Sequence, residues 1–218
     1  DVVVAIHPPD ADSPDNWRTW SQMMPHLVEL DPSQSDNPAL RRAATRGARF
    51  LLVRGGGQDA ESFAQGLFES WRRRLGDNHP DSLEAATMLA HAFCNLGDYE
   101  RARDLDKDTL ERRRRILGQD HPDTLNSANA LAVDLSNLGA WIQARELDED
   151  TLSRRQRILG ADHPDTLWSA HALAVDLANA GSWVMARKLD EETLETRRRV
   201  LGENHPDTLR SCNALAVD

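Results

Sequence analysis

Apolar residues recur at helical spacing through most of the chain. Leu125, Ala128, Leu131, Ala132 and Leu135 fall three and four apart, which lines one face of a helix with them. Pro122, just before this stretch, supplies the fixed φ of a first helical turn, Asp123 sets negative charge at the positive end of the dipole, and Gly139 ends the helix. A second helix is predicted from near Trp141, carrying Ile142, Ala144, Leu147, Leu152, Ile158 and Leu159 to a stop at Gly160, where a glycine takes the left-handed cap conformation. Its acids (Glu146, Asp148, Glu149, Asp150) come early and its arginines (Arg154, Arg155, Arg157) late, the order the helix dipole favours. Pairs such as Asp150 with Arg154, Glu111 with Arg115 and Glu195 with Arg199 add i,i+4 support of about 0.2–0.5 kcal/mol each.

This two-helix pattern returns. His-Pro-Asp followed by Ser or Thr begins at His79, His121, His163 and His205, each 42 residues after the last. Residues 121–162 set against 163–204 without a gap match at 27 of 42 positions, 79–120 is a looser copy, and 205–218 is a truncated repeat with a first helix only. Further back, Asn37-Pro38 falls on His79-Pro80, and Ala43-Ala44-Thr45, Gly55, Ala60 and Leu75-Gly76 fall on Ala85-Ala86-Thr87, Gly97, Ala102 and Leu117-Gly118, so 37–78 reads as a degenerate repeat. Residues 1–36 read as an arm. Ser13-Pro14-Asp15-Asn16 signals a helix start; Trp17, Trp20, Met24, Leu27 and Leu30 give one amphipathic helix, bent or interrupted near Pro25, and a loop follows from Asp31 to Pro38. Neither helix of a unit can bury its apolar stripe alone, and stacking of neighbours supplies the core. The predicted fold is therefore all-α, an α-solenoid of stacked helical hairpins.

The pattern Leu131-Ala132, Leu135, Gly139, Trp141, Ala144, repeated as Leu173-Ala174, Leu177, Gly181, Trp183, Ala186 and as Leu89-Ala90, Phe93, Gly97, Tyr99, Ala102, resembles the small/large signature of tetratricopeptide repeats. The unit exceeds that family's length of about 34 residues by roughly two helical turns, most simply placed in a longer second helix. Units of this length joined by Leu-Gly-x-x-His-Pro-Asp-Thr-Leu are similar to those of kinesin light chains and of bacterial tetratricopeptide proteins; the likeness is strong over 79–218 and weak over 37–78. Trp17-Arg18-Thr19-Trp20 followed by Met24-Pro25-His26-Leu27 resembles the arm that joins an NB-ARC-type (STAND) ATPase core to such repeats in actinobacterial regulators, including those called FxSxx-COOH system tetratricopeptide proteins.

These resemblances imply a right-handed solenoid that binds a protein or peptide along its concave face, as the cytoplasmic sensor of a larger bacterial signalling ATPase; a constitutive scaffold or adaptor is the alternative. In the family the first helices line the concave groove. Carried over position by position, the groove residues are Glu84, Thr87, His91, Cys94 and Asn95 in the first clear repeat, and Asn126, Asn129, Val133, Ser136 and Asn137 in the second. Trp168, His171, Val175, Ala178 and Asn179 follow in the third, then Arg210, Asn213 and Val217 in the truncated one. Asn95, Asn137 and Asn179 form one row, able either to hold a ligand's backbone or to tie off helix-end carbonyls. The first position of each set varies (Glu84, Asn126, Trp168, Arg210), which suits side-chain selection, and Trp and Arg are enriched in binding hot spots. Trp141, Trp183 and Tyr99 stand at the family's packing position and are expected in the core.

Charge narrows the partners. With 36 acidic against 26 basic residues and a net charge of -10, the chain as a whole repels phosphate backbones and anionic lipid. The arginine runs Arg72–Arg74, Arg112–Arg115 and Arg197–Arg199 do not reverse this, because the three clear repeats carry 9 acids against 7 bases, 7 against 4 and 7 against 5. The runs read as solvated faces with dipole complementarity, or as rims that hold an acidic partner or pair with Asp134 and Asp176 of adjacent repeats. Nucleic acid is not an expected partner. No apolar run approaches the ~18–20 residues that span a bilayer, and Val2–Ile6 is too short for a signal-peptide core and lacks a basic flank, so no membrane association is expected. The first residue is not methionine and the last repeat stops mid-pattern, as expected of a fragment; self-association through that truncated repeat is a further expectation.

No catalytic constellation emerges. No Gly-x-x-x-x-Gly-Lys-(Ser/Thr) occurs, and Gly55-Gly56-Gly57 sits where Gly97, Gly139 and Gly181 close their hairpins. The histidines His79, His121, His163 and His205 lie one stacking distance apart, roughly 8–10 Å, too far to share a metal that each must approach to about 2 Å; they read as braces of the inter-repeat turn. Cys94 and Cys212 stand in for small residues of the other repeats, and His91, three residues before Cys94, offers a base with no oxyanion site or orienting acid. The prediction is a non-enzymatic binding module with no cofactor, no metal and no catalytic residue.

Overall fold

A computed structural model describes residues 10–215, so Val2–Ile6 and Val217 lie outside the described residues. Among the described residues the chain is all-α, with ten α-helices, one 3₁₀ turn and no strand. The chain divides into two compact units, Asp1–Arg112 and Arg113–Asp218, and within each the helices stack as successive hairpins.

The first unit holds a 3₁₀ turn (Pro14–Asn16), α1 (Trp17–Glu29), α2 (Pro38–Val53), α3 (Gly57–Leu75), α4 (Pro80–Asn95) and the greater part of α5 (Tyr99–Leu117). α1 runs through Pro25 instead of breaking there: an exposed proline removes one backbone hydrogen bond, and Trp20, Met23 and Leu27 still bury one continuous face. That face crosses α2 at Gly47, where an added Cβ would lie 2.8 Å from Leu27 Cδ2 and 2.9 Å from Met24 Sδ, so only glycine allows the approach. Trp20 stacks on Phe50 with ring centroids 5.9 Å apart. Trp71 Nε1 donates to the Pro32 carbonyl at 3.1 Å and pins the loop that follows α1. Farther along, the small Ala60 and Ala64 of α3 leave room for Leu89 and Phe93 of α4, with Ala102 of α5 closing the cluster.

The second unit continues from Arg113 into α6 (Pro122–Asn137), α7 (Trp141–Leu159), α8 (Pro164–Asn179), α9 (Trp183–Leu201) and α10 (Pro206–Leu215). Leu152 of α7 meets Ala170, Leu173 and Leu177 of α8 and Ala186 of α9. Each buried leucine of such a cluster contributes about 1.5–3 kcal/mol.

The recurring histidines are helix caps. Nδ1 of His79, His121, His163 and His205 accepts the backbone N–H two residues ahead at 3.1–3.2 Å. Asn37 Oδ1 does the same to Ala39 at 2.9 Å, which explains why Asn37 can stand in the histidine's place. Second helices end at glycines of positive φ, as expected, yet not in the left-handed helical well. Gly76, Gly160 and Gly202 have φ of 94°, 89° and 91° with ψ of 161°, 162° and 163°, a region that glycine alone populates.

The arginine runs depart from the solvated reading. The guanidinium of Arg155 is buried: it donates to the Asp165 carbonyl at 2.9 Å, to Ser169 Oγ at 2.7 Å and to Asn126 Oδ1 at 2.6 Å. Arg113 makes the same reach to Asp123 and Ser127, and Arg197 to Asp207 and Ser211. In each clear repeat one arginine, Arg113, Arg155 or Arg197, therefore staples a second helix to the start of the next first helix, whereas Arg72–Arg74 keep to Asp77, Glu69, Ser33 and Asp36. Neighbours of the stapling arginines stay outside and pair with the loop acids, Arg154 and Arg157 with Asp120 and Arg199 with Asp162.

Trp141 and Trp183, expected in the core, are 44% and 59% exposed, and Tyr99 is half-buried. Each tryptophan is the first residue of its helix, and helical side chains lean toward the N-terminus, which carries the indole past the hairpin turn. The inward position three residues on is taken by the small Ala144 and Ala186.

Candidate functional site

The second unit holds a cavity of about 630 Å³ between α6, α7, α8 and α10. Several predicted groove residues meet there: Val133 and Asn137 from α6, Trp168, His171, Val175 and Asn179 from α8, and Arg210 from α10. They converge because three- and four-residue steps keep Trp168, His171, Val175 and Asn179 on one face of α8. Trp168, 40% exposed, and Trp141, displaced from the core, give the cavity two aromatic walls.

Two carboxylates that sequence reasoning did not place in a site also border it. Asp148 of α7 is 1% exposed and Asp176 of α8 is 3% exposed. Burial, reinforced by the charge of Asp176, pushes the Asp148 carboxyl up to about 7, against the pull of the Asn129 hydrogen bond and of Arg155. Burial likewise raises Asp176 to about 6, opposed by a hydrogen bond from Ser136. A continuous chain of bonds supports this floor. Arg155 donates to Ser169 Oγ, Ser169 Oγ to Asn129 Oδ1 at 3.1 Å, and Asn129 Nδ2 to Asp148 Oδ1 at 2.6 Å. The next repeat replaces the Asn–Asp pair with His171 Nδ1 against Asp190 Oδ1 at 2.9 Å. The signal for Asp148 was present: it shares a helical stripe with Ala144, Leu152 and Arg155, and its place among the acids of α7 disguised that as dipole complementarity.

Other predicted positions fall elsewhere. Asn129 is buried and commits both ends of its amide to Ser169 and Asp148, so it supports the groove from behind instead of facing it. Asn126 is exposed but accepts from Arg155, and Asn213 is exposed on α10. Glu84, Thr87 and His91 are half-buried on α4 in the first unit, where Thr87 Oγ1 turns back to the Leu83 carbonyl. The asparagine row does not act as one unit. Asn95 donates to the Leu52 carbonyl at 3.4 Å, Asn137 to its own helix at Val133 and Asn179 to Ser136 Oγ of the preceding repeat, while all three remain exposed.

No group of histidine, cysteine, aspartate and glutamate side chains with metal-holding geometry occurs among the described residues, and no described helix is long and apolar enough to cross a membrane. The tetratricopeptide-repeat family model matches four successive segments, residues 42–81, 82–123, 124–165 and 166–207. The chain belongs to the tetratricopeptide-repeat family. Its fold is similar to crystal structures of a Podosopora anserina protein described as a kinesin light chain with nearly identical TPR-like repeats. One, of a single-substitution variant of that protein, has 23% identity and TM-score 0.67, covering 85% of this chain and 86% of that one. Another has 23% identity and TM-score 0.65, covering 85% and 87%. BtubC (BKLC) from P. vanneervenii has TM-score 0.71 at 18% identity, covering 92% of this chain and 80% of that one. No curated protein sequence matches. Tetratricopeptide repeats are typically protein-interaction modules, and the repeat fold is in general non-catalytic.

Proposed function

We propose that this tetratricopeptide protein binds an extended segment of a protein partner in the groove of its second unit, with no catalytic step of its own. The observation that carries the reading is the exposure of Trp168, Trp141, Val133 and Val175 around a single cavity rimmed by polar groups. An apolar, concave surface with a few convergent polar side chains is what a peptide site requires. Asn137, Asn179 and Arg210 are the polar contacts of this reading. Peptides selected from a displayed random library on the wild-type chain test it. They should bind the combined Trp168→Ala and Asn137→Ala variant at least about tenfold more weakly, with unfolding unchanged; equal affinity would remove the groove from the account.

The setting of a cytoplasmic sensor in a bacterial signalling ATPase is supported by the likeness of the Trp17–Leu27 segment to the arm of STAND regulators. There a partner would act only as far as it prefers one arrangement of the repeats over another. The fold's likeness to the Podosopora anserina structures described as a kinesin light chain supports the alternative of a constitutive adaptor. The reading frame upstream of Asp1 separates the two: a P-loop there supports the sensor, and a complete frame without one leaves the adaptor.

A further inference from the structure

Resting on the groove reading, we infer that the groove takes a cationic side chain of the partner, an arginine or lysine, with Asp148 and Asp176 facing its charge and the indoles of Trp141 and Trp168 flanking its stem. The carboxylates supply the first argument. Both are almost wholly buried at the cavity, and neither forms an ion pair with any described residue. Asp176 Oδ2 is buried without a hydrogen-bond donor. A buried carboxylate oxygen left without a donor is costly, and a cation entering from the cavity would satisfy it. The two arginines nearest the carboxylates and the cavity are otherwise engaged: Arg155 holds Asp165, Ser169 and Asn126, and Arg210 at the cavity wall is bound to Asp207 at 2.9 Å.

The walls supply the second, independent argument. Indole faces attract a guanidinium or ammonium and cover the methylenes behind it. An acidic ligand would meet the same two carboxylates as repulsion, and an apolar one would seal them away unpaired.

The charged and polar groups around the two carboxylates are Arg155 and Asn129 at Asp148, Ser136 at Asp176, and, among the other residues lining the cavity, Arg210 and His171, the latter paired with Asp190. A bound cation favours the ionised carboxylates, so its binding releases protons and strengthens as pH rises from about 5 to about 8.

Capped Ala-Ala-X-Ala-Ala peptides with arginine, citrulline or glutamate at X, titrated calorimetrically into the full chain in millimolar excess, test the inference. The arginine peptide should saturate, bind about tenfold more tightly than the citrulline peptide, and release protons at neutral pH; the glutamate peptide should not bind. In the double variant Asp148→Asn with Asp176→Asn, which keeps side-chain shape and removes buried charge, arginine and citrulline should bind alike. The inference is overturned if the wild type fails to bind the arginine peptide, if it binds citrulline equally, or if the variant keeps the preference. A citrulline or glutamate peptide that binds and is weakened by Trp168→Ala would leave the groove standing without its cation. Library-selected peptides indifferent to Trp168→Ala would remove the groove itself.

Discussion

The imidazole Nδ1 of His121 does at the start of α6 what the Asn37 side-chain oxygen does at the start of α2: it accepts a backbone N–H that the first helical turn leaves without a partner. The cap depends on an acceptor atom at this reach. His121→Ala should therefore cost about 1 kcal/mol of stability in chemical denaturation. His121→Asn, which keeps an acceptor at the same reach, should restore most of it; equal losses for the two would show that packing, and not capping, holds the histidine. At the other end of the unit, an added Cβ at Gly160 would meet nothing within 4 Å, so a methyl there clashes with no neighbour and costs only backbone strain. Gly160→Ala should lose about 1–3 kcal/mol, read as a lowered urea midpoint, and a neutral outcome would place that junction in a different backbone conformation.

At the scale of elements, the staple from α7 into α8 shows why a charged residue sits inside a repeat interface. Burial opposes the Arg155 charge and pulls its pKa down, yet five donors on a planar group allow one side chain to satisfy a carbonyl, a hydroxyl and an amide on two neighbouring helices. Arg155→Ala would leave those acceptors unpaired and remove the positive charge behind Asp148. A loss of roughly 3 kcal/mol is expected, with Arg154→Ala, a half-buried residue that pairs at the surface with the exposed Asp120 and Asp150, costing about 1 kcal/mol or less. Similar losses for the two would mean that the buried bonds carry no special weight.

Much of this layer was legible in the sequence. Pro122, Gly139, Trp141 and Gly160 bound α6 and α7 where proline, glycine and the three- and four-residue periodicity put them, because those signals act within one turn. Arg155, Trp141 and Asp148 were misread for a common reason. Charge order along a helix and the family's packing position describe a helix by itself, whereas the fate of these side chains is decided by what the adjacent repeat presents. That Trp168, His171, Val175 and Asn179 of α8 line one cavity was legible because the family's frame selects one face; that Asn129 is buried was not, because its partner, Asp148, lies 19 residues away on another helix.

For the molecule as a whole, the second unit gives up some stability for its acidic floor, and pH exposes it. Asp148 and Asp176 have folded values near 7 and 6 against an ordinary 3.8. The folded state thus holds their protons more tightly than the unfolded state does. Their contribution is most favourable below the unfolded value, falls as pH climbs from about 4 to about 7, and levels off above that. The second unit should accordingly be more stable near pH 5 than near pH 8 by an amount on the order of a few kcal/mol. Asp148→Asn with Asp176→Asn should flatten the dependence, and a wild-type stability that rises over this range would contradict the assignment.

The central claim is that the groove of the second unit is where a partner binds, and the six tryptophans of the chain report on it directly. Trp141 and Trp168 border the cavity, whereas Trp20 and Trp71 are fully buried in the first unit. Indole N–H resonances followed while a library-selected peptide is added should show Trp141 and Trp168 moving together to saturation with Trp20 and Trp71 still. Saturable binding that leaves Trp141 and Trp168 unmoved would contradict the account.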